Sequence, residues 1–315
     1  MKRPENLAFR LGTGLFGLVL VLLVAAIGVE LFRQSWLSIQ KFGLSFWRTE
    51  TWDPVAGEFG ALPFIWGTLY SAILALAIAT PIALGISVFI SELCPNRLKP
   101  ALVFLTELLA AIPSIVYGLW GIFVLVPAVR WFETSIPQPL KALPFFTGPP
   151  FGLGMLAAAL ILAVMVIPFT SSIAREVLKS VPVAQREGAY ALGATRFEAI
   201  SAALYYARTG IIGSVLLGFG RALGETMAVT MVIGNSPKIS LSLFAPQHTM
   251  AAVIANEFSE ASDALYLNAL IEIGLVLFII TLIVNSLSRL LIWSMARPMK
   301  QTSAAGVVPA AASAA

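Results

Sequence analysis

The chain has 315 residues, of which 58% are apolar and only 11% charged. Soluble globular chains carry roughly 45–50% apolar and about 25% charged residues, so this one cannot cover a water-facing surface of its size, and a soluble enzyme is excluded. Intrinsic disorder is excluded for the opposite reason, because too much needs burying.

A bilayer-spanning helix takes about 20 apolar residues. The long apolar runs predict six: Leu11–Leu31, Leu62–Ile90, Ala101–Val129, Phe151–Ile173, Gly210–Ile233 and Tyr266–Trp293. None alternates with period two, which argues against barrel strands. Backbone polar groups in hydrocarbon then require helices. The expected fold class is all-α, a polytopic membrane helix bundle. Residues 1–10 form a short cytoplasmic N-terminus and 11–298 the transmembrane domain. The first run is longer than a signal-peptide core and has no clear small-x-small site before Arg33, so it reads as a retained helix. The stretch 299–315, rich in Ala, Ser and Val, is expected to be a disordered tail.

Mean hydropathy is +0.89 and the pI about 9.3, with a net charge of +4. Of the 20 Lys and Arg residues, thirteen lie in the N-terminal, even-numbered and C-terminal segments and six in the odd-numbered ones. That bias places both termini in the cytoplasm. It also accounts for the basic pI with no nucleic-acid partner. Cys94 stands alone, so no intrachain disulfide or cysteine metal motif exists. No GxxxxGK[ST] phosphate loop occurs, so ATP hydrolysis is not expected in this chain. No nucleophile set or metal cluster appears within the spans, which argues against an intramembrane enzyme.

The fourth connection, 174–208, is too long for an ordinary bundle loop of about 2–8 residues and does not have a loop's composition. Ser180, Val181 and Pro182 form a helix-start signal. Residues Val183–Leu192 follow as a helix, with Gly193 as its stop. Thr195 with Glu198 makes a capping box for a second short helix. That helix carries Phe197, Ile200, Leu204 and Tyr205 on one face. Such a pair either lies on the membrane and braces the bundle or docks a cytoplasmic partner.

Within the fifth span, Arg221 lies near the middle and Glu225 one turn further on, so in a continuous helix they share a face and can pair. The pair either fixes helix packing or lines an anion path. Arginine suits the second role, because its planar fork stays protonated and binds a tetrahedral oxyanion through parallel hydrogen bonds. Glu225 would moderate the binding enough to permit release. Gly218, Gly220 and Gly224 read as a packing face. Pro113 is expected to kink the third span. Glu107 and Glu272 read as snorkelling or pairing at helix ends, and His248 as a solvated loop residue.

Glu187-Gly188-Ala189 followed by Gly193 resembles the EAA motif of ABC importer permeases, with Gly188 in place of the first Ala. The family usually has Leu-Pro near the return to the next span, where this chain reads Leu204-Tyr205-Tyr206. That resemblance implies a type I importer permease fold whose coupling helix sits in a groove of an ATP-binding subunit. Three further blocks make it more specific. They are Gly220–Val229, Ile112–Gly121, and Ser242-Leu243-Phe244 with Thr249 and Ala255–Phe258. Together they look like the phosphate-uptake permeases of the Pst system, of PstC-like type, over about residues 10–298. The resemblance implies that Arg221 and Glu225 take part in phosphate translocation. It also implies a homologous PstA-like permease subunit, two PstB-like ATPase subunits that hold ATP and Mg, and an extracytoplasmic PstS-like binding protein. No cofactor or metal is expected in this chain. The other readings are a permease for molybdate or sulfate, or a non-transporting membrane scaffold or sensor.

Overall fold

A computed structural model describes residues 4–295. The expected tail at 299–315 and the first three residues lie outside them. Helix α1 (Pro4–Gln34) leads into α2 (Trp36–Phe42) and a 3-10 turn at Gly43–Trp47. Next, α3 (Leu62–Val88) ends in a π turn at Phe89–Leu93. After α4 (Lys99–Ala111) and α5 (Ser114–Trp120), a second π turn at Gly121–Leu125 continues into α6 (Val126–Ser135). The one-turn α7 (Gln138–Lys141) precedes α8 (Met155–Lys179), α9 (Val183–Ala191) and α10 (Arg196–Leu223). Three more complete the described residues: α11 (Met227–Val232), α12 (Met250–Glu257) and α13 (Ala264–Met295). No strand occurs among the described residues, so the all-α fold class holds.

Six helical segments are long and apolar enough to cross a membrane: Phe9–Gln34, Leu62–Leu93, Ser114–Ser135, Met155–Lys179, Arg196–Leu223 and Ala264–Met295. Their number matches the expectation, and four lie within a few residues of the expected bounds, but the third and fifth are displaced much further. The third span does not begin at Ala101. Ile112 and Pro113 are both extended, at ψ 130° and 141°, so Pro113 ends the helix rather than bending it. Proline pushes the residue before it out of the helical region, and the chain restarts at Ser114. The fifth span does not run on to Ile233. It stops at Leu223, and Gly224, Glu225 and Thr226 separate it from α11.

Helix α8 is the centre of the bundle. In its most apolar window 61% of residues are buried, against 28% in α3 and none in α1. Small side chains make this possible. Ala72, Ala75 and Ala79 of α3 and Ala157, Ala158 and Ala163 of α8 belong to one buried cluster. Lipid tails are as apolar as leucine, so helices associate through close backbone approach, which small residues allow. A second cluster joins Phe46, Phe59 and Phe64 to Met250, Tyr266 and Leu270, at the end of the bundle away from α9. A third, at the α9 end, holds Leu178, Val181, Ala203, Ala207 and Ile211.

The connection at 174–208 is mostly the continuation of two spanning helices. Helix α8 runs on to Lys179, and Ser180 closes it instead of capping the next. Pro182 starts α9. The anticipated second short helix is the first part of α10, a single helix of 28 residues. Its inward face is Ala199, Ala203, Ala207 and Ile211, while Phe197 and Tyr205 point outward at 78% and 65% exposure. The packing favours small residues here, so the larger apolar ones lie outside.

Candidate translocation and docking sites

Arg221 lies in the last turn of α10 and its side chain is exposed. Its guanidinium carbon stands 5.4 Å from the Phe169 ring centre on α8. The expected pairing with Glu225 is not made, because the helix ends between them and removes the one-turn spacing. Among the described residues no carboxylate lies within salt-bridge distance of Arg221. The Glu225 Oε1 instead accepts the Ala228 N–H at 3.4 Å, at the start of α11. Each charge therefore stands at the helix end whose dipole favours it, the cation at a C-terminus and the anion at an N-terminus. Thr170, on α8 beside Gly218 of α10, has a buried hydroxyl with no hydrogen-bond partner.

The break at Ile112–Pro113 belongs to the same region. The Tyr117 hydroxyl reaches back across it and donates to the Leu109 carbonyl at 2.7 Å. That satisfies one of the carbonyls left open at the end of α4. Helix α5 packs directly on α11. A Cβ at Gly118 would strike the Met231 sulfur and stand 3.2 Å from the Ala228 Cα, so only glycine admits this approach. Two sequence blocks more than a hundred residues apart thus meet at two interrupted helices. Irregular backbone at membrane depth is tolerated where it is buried in protein or lines a cavity, and discontinuous helices of this kind hold substrates in transporters.

At the other candidate site, Glu187, Gly188 and Ala189 lie on α9, with Glu187 and Gly188 exposed. Gly193 has φ +83°, the left-handed conformation that ends a helix and that side chains resist. The capping box forms as expected. The Glu198 N–H donates to Thr195 Oγ1 at 3.4 Å and Glu198 Oε2 accepts the Thr195 N–H at 2.7 Å. Helix α9 buries none of its residues. Val183, Tyr190 and Leu192 are 64%, 50% and 91% exposed, so it presents a ready apolar surface.

Four polar features went unread, partly read or misread in the sequence. Arg186 of α9 bonds to Glu92 at the end of α3. Arg175, 4% exposed, bridges Glu107 of α4 at 3.1 Å and Glu176 at 2.9 Å, so Glu107 pairs as expected. Glu272 does not snorkel. It is 2% exposed, with one carboxylate oxygen lacking a partner. His248 is not solvated either, being 2% exposed and edge-on to the Phe64 ring at 5.4 Å. Burial holds its pKa down at about 4, so the ring is neutral near pH 7. The last of the three resemblance blocks is packing: Ser242 and Phe244 are buried, and the Thr249 hydroxyl accepts the Ala252 N–H at the start of α12.

Crossing helices, paired helix breaks beside an arginine, and an exposed helix outside the bundle define a membrane permease. The chain belongs to the family of binding-protein-dependent transport system inner membrane components, whose pattern matches residues 83–297. Its relatives include the phosphate transport system permease protein PstC of Haemophilus influenzae, 48% identical across 91% of this chain and 93% of the relative. The same-named protein of Mesorhizobium japonicum is 46% identical over 86% and 85%. A probable PstC of Methanocaldococcus jannaschii is 38% identical over 85% and 87%. The inward-facing methionine ABC transporter MetNI shares the fold, with a TM-score of 0.56 at 16% identity, covering 74% of this chain and 94% of that one.

Proposed function

We propose that this multi-pass membrane component is the permease subunit of an inorganic phosphate importer. The observation that carries the reading is Arg221, a guanidinium with no carboxylate bridge among the described residues, where α10 breaks and next to the break at Pro113. A phosphate dianion offers such a fork two parallel charge-assisted acceptors. Glu225 stands four residues on as the counter-charge that keeps binding weak enough for release. The PstC-named relatives, matched over most of their length, support phosphate over other oxyanions.

In this reading the protein is a transport subunit with no bond chemistry of its own. Phosphate arrives from an extracytoplasmic binding protein and passes between this chain and a homologous permease subunit. Both termini and α9 face the cytoplasm, as the bias of basic residues indicates. ATP and Mg are held by two separate ATPase subunits, one of which docks on α9 around Glu187, Gly188, Ala189 and Gly193. Alternating access then follows from each ATP-driven state favouring one arrangement of the spans. The test is uptake of labelled phosphate into vesicles holding the whole complex, with sulfate and molybdate competing. Phosphate uptake that neither competitor reduces supports the assignment. Preferential uptake of another oxyanion overturns it.

A further inference from the structure

Helix α9 buries none of its own residues, so apolar packing does not set its orientation. Arg186 does, through every nitrogen of its guanidinium. Its Nη2 donates to Glu92 Oε1 at 2.7 Å and its Nε to Glu92 Oε2 at 3.2 Å. Nη2 also donates to the Leu178 carbonyl and Nη1 to the Val181 carbonyl, both at 3.0 Å. Leu178 lies in the last turn of α8, whose final carbonyls have no partner within the helix. Glu92 lies in the π turn that ends α3, and its own carbonyl accepts from Arg196, the first residue of α10, at 2.9 Å. One fork thus joins α9 to the ends of two spans, and the backbone carbonyl of the glutamate it holds gathers a third.

The side chains are only 22% and 12% exposed. Burial shields the bridge from the screening that leaves surface pairs weak. The two-pronged contact also fixes direction as well as distance. A lysine could supply the charge but not the fork. The docking surface of α9 is made of other residues, among them Val183, Tyr190 and Leu192, so holding the helix and presenting it are separate tasks.

We propose that the Arg186–Glu92 bridge is the rigid link that passes displacement of α9 into α3 and α8, making both residues positioning residues for coupling. The inference rests on α9 being the ATPase docking element. A loose α9 would still bind the ATPase, but hydrolysis would no longer move the spans.

The test uses the full complex in vesicles with its loaded binding protein. Bound ATPase is quantified, and ATP hydrolysed per phosphate imported is measured for Arg186→Ala, Glu92→Ala and both together. The expected result is a rise in that ratio of about tenfold, within the range by which mutations along a coupling route act. Bound ATPase stays at the wild-type amount, and the double variant is no worse than either single one. Arg186→Lys should recover only part of the coupling. A wild-type ratio in Arg186→Ala, or losses that add in the double variant, overturns the link. If the alanine variants do not assemble, Arg186→Lys and Glu92→Gln are read by the same criteria. Gly193→Trp separates the two ideas. If it leaves the ATPase bound and coupled, the docking reading fails. If it detaches the ATPase while Arg186→Ala stays coupled, only the link fails.

Discussion

An arginine within a span costs at least about 2.5–3.5 kcal/mol, and Arg221 has two contacts that offset part of it. The C-terminus of α10 contributes roughly 0.3–1 kcal/mol and the Phe169 face about 0.5–2 kcal/mol. What remains is available to an arriving anion. Arg221→Gln should therefore lower phosphate uptake by about 100-fold or more, the loss typical of removing one preorganised donor, while the complex is still recovered. Uptake at the wild-type rate would remove Arg221 from the path. His248 gives a second test at this scale. Its folded pKa of about 4 lies below the ordinary 6.5, so the unfolded chain binds the proton first. Stability is then full above about pH 6.5 and falls as pH drops toward 4, by up to roughly 3 kcal/mol at about 1.4 kcal/mol per unit. Melting temperatures in detergent should fall between pH 7 and 4.5 in the wild type and fall less in His248→Gln. Equal slopes would mean the ring titrates normally.

Helices were legible where their signals are local. Gly193, the Thr195–Glu198 box and the six apolar runs were all readable from neighbouring residues. The two breaks were harder, because each takes only two or three residues and apolar sequence resumes soon after, at Ile115 and at Met227. Proline announced a kink and the structure made it a full break. The glycine at 224 looked like packing but sits where the helix stops. The Arg186–Glu92 bridge and the identity of Glu107's partner, Arg175, were invisible, since the paired residues are far apart in sequence and only the fold brings them together. The same is true of α5 against α11, where Gly118 is the element's fitting point. Gly118→Val should force these helices apart at a cost of roughly 1–3 kcal/mol from overpacking. Phosphate uptake should fall while ATPase stays bound through α9, as copurification would measure. Full uptake would mean that the two breaks need not be held in register.

At the scale of the whole molecule, the lone chain leaves too much uncovered to be its own path. Only 22% of the α10 window is buried, and Leu217, one turn before Arg221, is 55% exposed. Met227, just beyond the break, is 51% exposed. An arginine on that face cannot meet lipid cheaply, because hydrocarbon offers its five N–H donors nothing. The face must therefore meet water or protein, and under the proposed assembly that protein is the second permease subunit. Leu217→Cys and Met227→Cys should then react with a lipid-phase thiol reagent in the isolated chain and be protected in the complex. Each should also crosslink to the second permease there. Protection requires that the covering surface reach both sides of the break, since the two positions flank Arg221 along the chain. Equal lipid-phase labelling with and without the partner would place this face against the bilayer, and would remove the interface in which Arg221 is proposed to hold its anion.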